Sequence, residues 1–353
     1  MPKHNIKTNT SYVEAYKGFV THTKPLLISL HKKDGTLLAE KNKKLTEEQA
    51  FHILKNGTVF TPRGDLVKAF SNINAINHQS NCDSRKKIAC EFERTALLME
   101  TLENILLKPN ENSLLTLFSL ANQLKTACNN DQNQVIAQCI TRIKETPFAK
   151  FLLISSIIYL ITKQMDWQEP EINSLMCAAL TLDITLHMND HKNQKYLLNE
   201  IKLTDINWYN YVNNHHLKNA INEDSISWGY SLLKIIDSYA EEIIAGITPS
   251  IAIKNAIKNE TSPFRKINRK CFLNILGIYP TGTIVKLVNE HIAIIVRQSN
   301  VPDKPFAKVI FDKSENRIKV PEFQRIGNFP YIVKKTIQND RIINRIDYEN
   351  IWK

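Results

Sequence analysis

The chain has little glycine, at nine of 353 positions, and what it lacks removes several classes of chemistry. No GxxxxGK[ST], GxGxxG, GxSxG or HExxH occurs, so phosphate-cradling loops, nucleophile elbows and helical zinc-protease sites have no local signature. No segment approaches the roughly 18–20 apolar residues needed to span a bilayer. The longest apolar stretch, Phe148 to Ile161, is interrupted by Lys150, Ser155 and Ser156. The first residues, MPKHNIKTNTSYVE, carry no apolar signal-peptide core, so the cytoplasm is the expected compartment and no membrane is expected as a partner. The six cysteines, at 82, 90, 128, 139, 177 and 271, form no CxxC or finger spacing and read as free, mostly buried thiols.

What is present is ordinary globular composition, 43% hydrophobic and 23% charged, with length for two or three compact units. The formal charge of +11 would suit an anionic partner. The lysines are dispersed among abundant Asn and Ile, however, and no basic helix with interleaved aromatics occurs, so nucleic acid is not expected as a partner.

Along the chain, residues 1–20 read as polar and frayed. Pro25 to Leu30, the Asp34-Gly35 turn and Thr36 to Ala39 read as a hairpin. Thr46 caps a helix with Gln49 as its capping-box partner, Asn56-Gly57 ends it, and Val59 to Thr61 reads as a further strand. Residues 76–90 are turn-rich and read as a linker. Helical spacing then holds through Phe92–Ile105 and Leu114–Leu124, with further helices expected at 134–144, 148–165, 170–188, 193–200, 206–217, 226–246 and 249–258. From 271 the rhythm changes. Ile284–Val288 and His291–Arg297 flank Asn289-Glu290 as a strand pair, and Val309–Asp312 can add a third strand. The expected architecture is mainly α: a small α/β module (1–75), a linker and helical segment (76–147), a helical core (148–275), and a short C-terminal β tail (276–353).

The polar residues of the helical section bear on function. Asp183 sits in the apolar sequence CAALTLDITLH, and Asp237 in LLKIIDSYAEEI. A carboxylate on such a face needs a metal, a cation or an N–H donor. His215 and His216 end the segment WYNYVNNHH. Two acids on buried helix faces with a His pair between them is a metal-site pattern for an all-α domain. Each piece also has a plain structural reading: a buried Asp can cap or bridge helices, and a His pair at a helix C-terminus can face solvent and favour the dipole. Cys177 reads as core.

On these residues the sequence, from about Phe148 to about Asp312, resembles the HD-GYP family. These are bacterial helical phosphohydrolases of the HD superfamily that cleave cyclic di-GMP with two or three iron or manganese ions. The pair 148–165 and 170–186 is similar to the family's opening helices, with AALTLDI at the place of its His-Asp step. NHH at 214–216 is similar to its His-His motif, LLKIIDSYAEEI to the helix of its last metal-binding Asp, and LGIYPTGTIVKLVNEHIAIIVRQ to the strand pair after the helical core. LISLHKKDGTLLAEKNKKLTEEQAFHIL is similar to the small domain often fused ahead of such cores.

The resemblance implies metal ligands at Asp183, His215, His216 and Asp237, with His191 the match by spacing for a further upstream His. It is incomplete. Leu182 stands where the family has its His, Leu186 replaces the following Lys, and KFLLISSIIYL has no His at all. The GYP loop is missing, and Gly229-Tyr230 does not supply it, because it falls inside the next helix with Ser231 in place of Pro. A two-metal phosphodiesterase needs both ions to position hydroxide and offset charge in the transition state, so losing one costs several kcal/mol. The resemblance thus implies a signalling protein with a degenerate domain, non-catalytic and interacting or regulatory, holding one divalent Fe or Mn ion or none. Its partner would be a signalling protein or a cyclic dinucleotide. The alternatives are a divergent metal-dependent cyclic di-GMP phosphodiesterase and a cyclic-dinucleotide sensor without turnover.

Overall fold

A computed structural model describes residues 12–15, 20, 25–26, 28–55, 59–62, 90–110, 112–182, 205–214, 227–262, 264–337 and 340–352. In the N-terminal module the strands β1 (Tyr12–Ala15), β2 (Leu30–His31), β3 (Leu37–Ala39) and β4 (Val59–Pro62) form an antiparallel sheet in the order β1-β4-β2-β3. The hairpin turn is made as its residues dictate. Asp34 Oδ1 accepts the Thr36 N–H at 2.9 Å, and Gly35 takes φ 85°. Helix α1 (Glu47–Lys55) opens on the expected capping box: Gln49 Oε1 accepts the Thr46 N–H at 3.1 Å, and Thr46 Oγ1 accepts the Gln49 N–H at 3.2 Å. The Asn56-Gly57 stop lies outside the described residues. One expectation is corrected. Residues 12–15 are not a frayed tail; they pair with β4 from Tyr12↔Pro62 to Ala15↔Val59, because backbone hydrogen bonds at a sheet edge do not require an apolar pattern.

The helical part comprises α2 (Glu91–Leu107), α3 (Ser113–Arg142), α4 (Pro147–Gln164), α5 (Glu169–Leu180), α6 (Ile206–Asn214), α7 (Ser227–Ile244), α8 (Pro249–Asn259) and α9 (Arg265–Leu276). The helices expected at 114–124 and 134–144 run as one element broken at Asp131 (φ −156°, ψ 91°). Its Oδ1 accepts the N–H groups of Asn133 and Gln134 and so caps the second half. Helix α9 was not expected from the sequence. The helix expected at 193–200 lies outside the described residues. Helix α4 is the axis of the bundle. Thr146 Oγ1 accepts the Phe148 N–H, Pro147 occupies the first turn, and every side chain from Phe148 to Thr162 is buried. Helices α2, α3, α5, α7 and α9 all pack on it, and one buried apolar cluster runs from Leu98 to Leu276. Among the described residues no helix is long and apolar enough to cross a membrane.

The C-terminal region is larger than a short tail. Strands β5 (Ile284–Leu287), β6 (Ile292–Arg297), β7 (Phe306–Phe311), β8 (Arg317–Arg325) and β9 (Val333–Thr336) form an antiparallel sheet in the order β8-β7-β6-β5-β9, followed by short helices α10 (Asp340–Ile343) and α11 (Tyr348–Trp352). The period-2 alternation of β6 buries Ile292, Ile294 and Val296 with Phe92, Ala137 and Trp352 on one face. Ala293 and Ile295 lie with Val285, Leu287, Ala307 and Val309 on the other. The chain enters this sheet through Gly282, at φ 88°, where a Cβ would stand 3.2 Å from the Ala137 Cα. The turn of YPTGTIV therefore needs glycine both for its dihedral and for its approach to α3. The overall class is mainly α, with two antiparallel sheets of substantial size.

Candidate functional site

Of the residues singled out for metal ligation, Asp237 is the one within the described residues. Asp183, His191, His215 and His216 lie outside them. The elements leading to those positions are nevertheless defined. Helix α5 runs from Glu169 to Leu180, and the remainder of the helix expected to reach 188, Asp183 included, lies outside the described residues from 183 on. The Thr181 hydroxyl bonds back to the carbonyl of Cys177 at 2.9 Å and accepts the indole N–H of Trp208 at 2.8 Å. Trp208 is wholly buried and anchors α6 against α5, edge-on to Phe118. The start of α6 is fixed by Asp205, whose Oδ1 accepts the N–H groups of Asn207 and Trp208, while its Oδ2 accepts the Ser174 hydroxyl at 2.5 Å. The two histidines therefore follow a helix whose axis is set by packing and by a carboxylate cap.

Leu182, at the place where the resemblance calls for a His, is 0% exposed and belongs to the main apolar cluster. A fully buried aliphatic side chain supplies no donor to an ion. Gly229 and Tyr230 lie inside α7, as expected, and Gly229 serves packing there. A Cβ at that position would lie 2.5 Å from the Tyr211 hydroxyl of α6. Burial pushes the Tyr211 phenol up to about 12, so it is a neutral packing group. Cys177 is core, with its thiol raised by burial, and the buried Cys128 thiol is likewise pushed up to about 12.

Asp237 projects from α7 toward α4, and its partner is a residue that reads in the sequence as a mere interruption of an apolar run. Lys150 Nζ lies 2.9 Å from Asp237 Oδ1, and the same ammonium donates to Oε1 of Glu241. Asp237 and Glu241 are one helical turn apart and so share a face of α7. The Lys150 side chain is 2% exposed, Asp237 14% and Glu241 53%, so the cation is inside the protein and its two anions rise toward the surface. The signal for Lys150 is present in the sequence. A single charge in FAKFLLISSIIYLI needs a counter-charge by the argument that singles out Asp237.

An implied divalent ion can be tested against this arrangement. An ammonium is a donor only, with no lone pair to offer a metal. A carboxylate already bonded to a buried ammonium would have to hold a second cation within a few ångströms of the first, where repulsion is poorly screened. At Asp237 the described residues do not fit an open metal position. Among the described residues no three His, Cys, Asp or Glu side chains gather closely enough to hold an ion.

No protein-family model matches the chain, and no curated protein matches it. Among solved structures it is similar to the HDG"Y"P protein Bd1817 from Bdellovibrio bacteriovorus, over 74% of this chain and 99% of that one, with TM-score 0.38 and 12% identity.

Proposed function

We propose that this chain is a degenerate HD-GYP-like protein whose helical core serves as a non-catalytic interaction or regulatory module in bacterial signalling. The reading starts from the sequence resemblance over 148–312. The observation that carries it is Leu182: where a metal-binding His is called for, the core holds a sealed aliphatic side chain. An ion deprived of that nitrogen, beside a helix with no His, loses the neutral donors that hold it against water. Without a second ion the attacking hydroxide and the developing phosphorane charge are both unsupported, a loss of orders of magnitude in rate.

Incubating the full chain with cyclic di-GMP and Mn²⁺ or Fe²⁺ without oxygen, and separating the products, tests the proposal. The expected result is no linear dinucleotide above a protein-free control. Robust linearisation that depends on the added metal would overturn it.

A further inference from the structure

We infer that Lys150 is the resident cation of the helical core, its ammonium taking the charge of Asp237 that a divalent ion would otherwise take. The comparison with a metal site rests on the reading proposed above, whereas the ion pair stands on geometry alone. Three observations converge. The Lys150 ammonium meets Asp237 Oδ1 at 2.9 Å, within ion-pair distance, and also meets the Glu241 carboxylate. It comes from α4, the opening helix of the resemblance, which carries no histidine. The element that lacks a nitrogen donor thus contributes a cation of its own. Finally, the Lys150 side chain is buried to 2% exposure, so its charge is tolerable only if anions meet it inside the protein.

The consequence differs in kind from a bound metal. A metal exchanges with solvent, answers to chelators and ties folding to its supply. A lysine ammonium is covalently part of the chain, answers to neither, and clamps α4 to α7 whatever the metal status of the medium. It also carries one positive charge between two carboxylates, so it has nothing left with which to draw in a phosphate.

The test uses the full chain purified without oxygen, loaded with Mn²⁺ or Fe²⁺, desalted and assayed for metal. Wild type and Asp237→Asn are expected to retain the same metal per chain, and added MnCl₂ to leave the difference between their melting midpoints unchanged. Lys150→Met, which removes the buried cation facing Asp237, is expected to lower the midpoint by roughly 10 °C. Metal held by wild type and lost in Asp237→Asn would overturn the inference. So would a Lys150→Met protein that melts with wild type. If Lys150→Met does not fold, the wild type and Asp237→Asn comparison decides alone. Hydrolysis of cyclic di-GMP by a metal that Asp237→Asn keeps would sink the proposed function and leave this inference standing. An Asp237-dependent metal without hydrolysis would do the reverse.

Discussion

Lys150 and Lys125 are both buried in the helical bundle, and they are held in different ways. Lys125, on α3, is 9% exposed and reaches Glu169 Oε2 at 2.5 Å and Asn173 Oδ1 at 2.7 Å, with its ammonium 5.9 Å from the centre of the Tyr159 ring. Its anion, Glu169, is 70% exposed. The stem is buried and the charge stays at the water boundary, the usual way a long cationic side chain covers apolar surface. Lys150 is covered more completely, and one of its two anions, Asp237, is largely covered too, while Glu241 reaches the water boundary. The same residue type is therefore a surface clamp in one place and an internal charge in the other. The difference is set by the exposure of the partner, not by the sequence around the lysine.

That contrast orders the expected effects of substitution. Lys150→Ala should cost the most, about 3–5 kcal/mol by chemical denaturation, because it leaves a covered carboxylate without its cation and a gap beside α4. A cost near that of a surface lysine would erase the contrast. Gly229→Ala tests packing on the same helix without touching charge. The added methyl meets the buried Tyr211 ring, and a loss of about 1–3 kcal/mol is expected in the same assay. Lys125→Met should cost about 1 kcal/mol or less, since its partner is already in water and the methionine keeps most of the buried stem. A loss equal to that of Lys150→Ala would mean that partner exposure does not decide the matter.

The smallest effect is expected at the sheet. There Glu290 accepts from Lys286 and Lys334 at 2.9 and 2.5 Å on the surface, and these hydrogen bonds hold its carboxyl down to about 2. Because its folded pKa lies below the ordinary value of 4.5, its contribution is complete above that value and fades as pH falls toward 2. Side-chain carboxyl NMR should show the low midpoint in wild type, and Lys334→Ala should move it upward. Glu290→Gln should leave the melting midpoint at neutral pH essentially unchanged.

The two regions were not equally legible. Local chemistry marked the Asp34-Gly35 turn, the Thr46–Gln49 capping box and the β5–β6 hairpin, because each is specified by residues within a few positions of one another. Helix α9 was missed because RKINRKCFLNIL offers a narrow apolar stripe among charges. Strand β8 was missed because RIKVPEFQR lies at the sheet edge with neither face fully covered, so no alternation marks it. At the site, Asp237 stood out as a lone acid in an apolar helix. Lys150 is legible by the same argument, as a lone charge in an apolar helix; the identity of its partner is not, because charge pairing across a bundle leaves no periodic trace.

Asp237 answers to Lys150 across the bundle, and a double-mutant cycle measures that coupling directly. Lys150→Met, Asp237→Asn and the double variant should show a coupling of about 2 kcal/mol or more in unfolding free energy, the double variant being more stable than the sum of the single losses allows. Strict additivity of the two losses would contradict the claim, because Lys150 and Asp237 would then not sense each other inside the core.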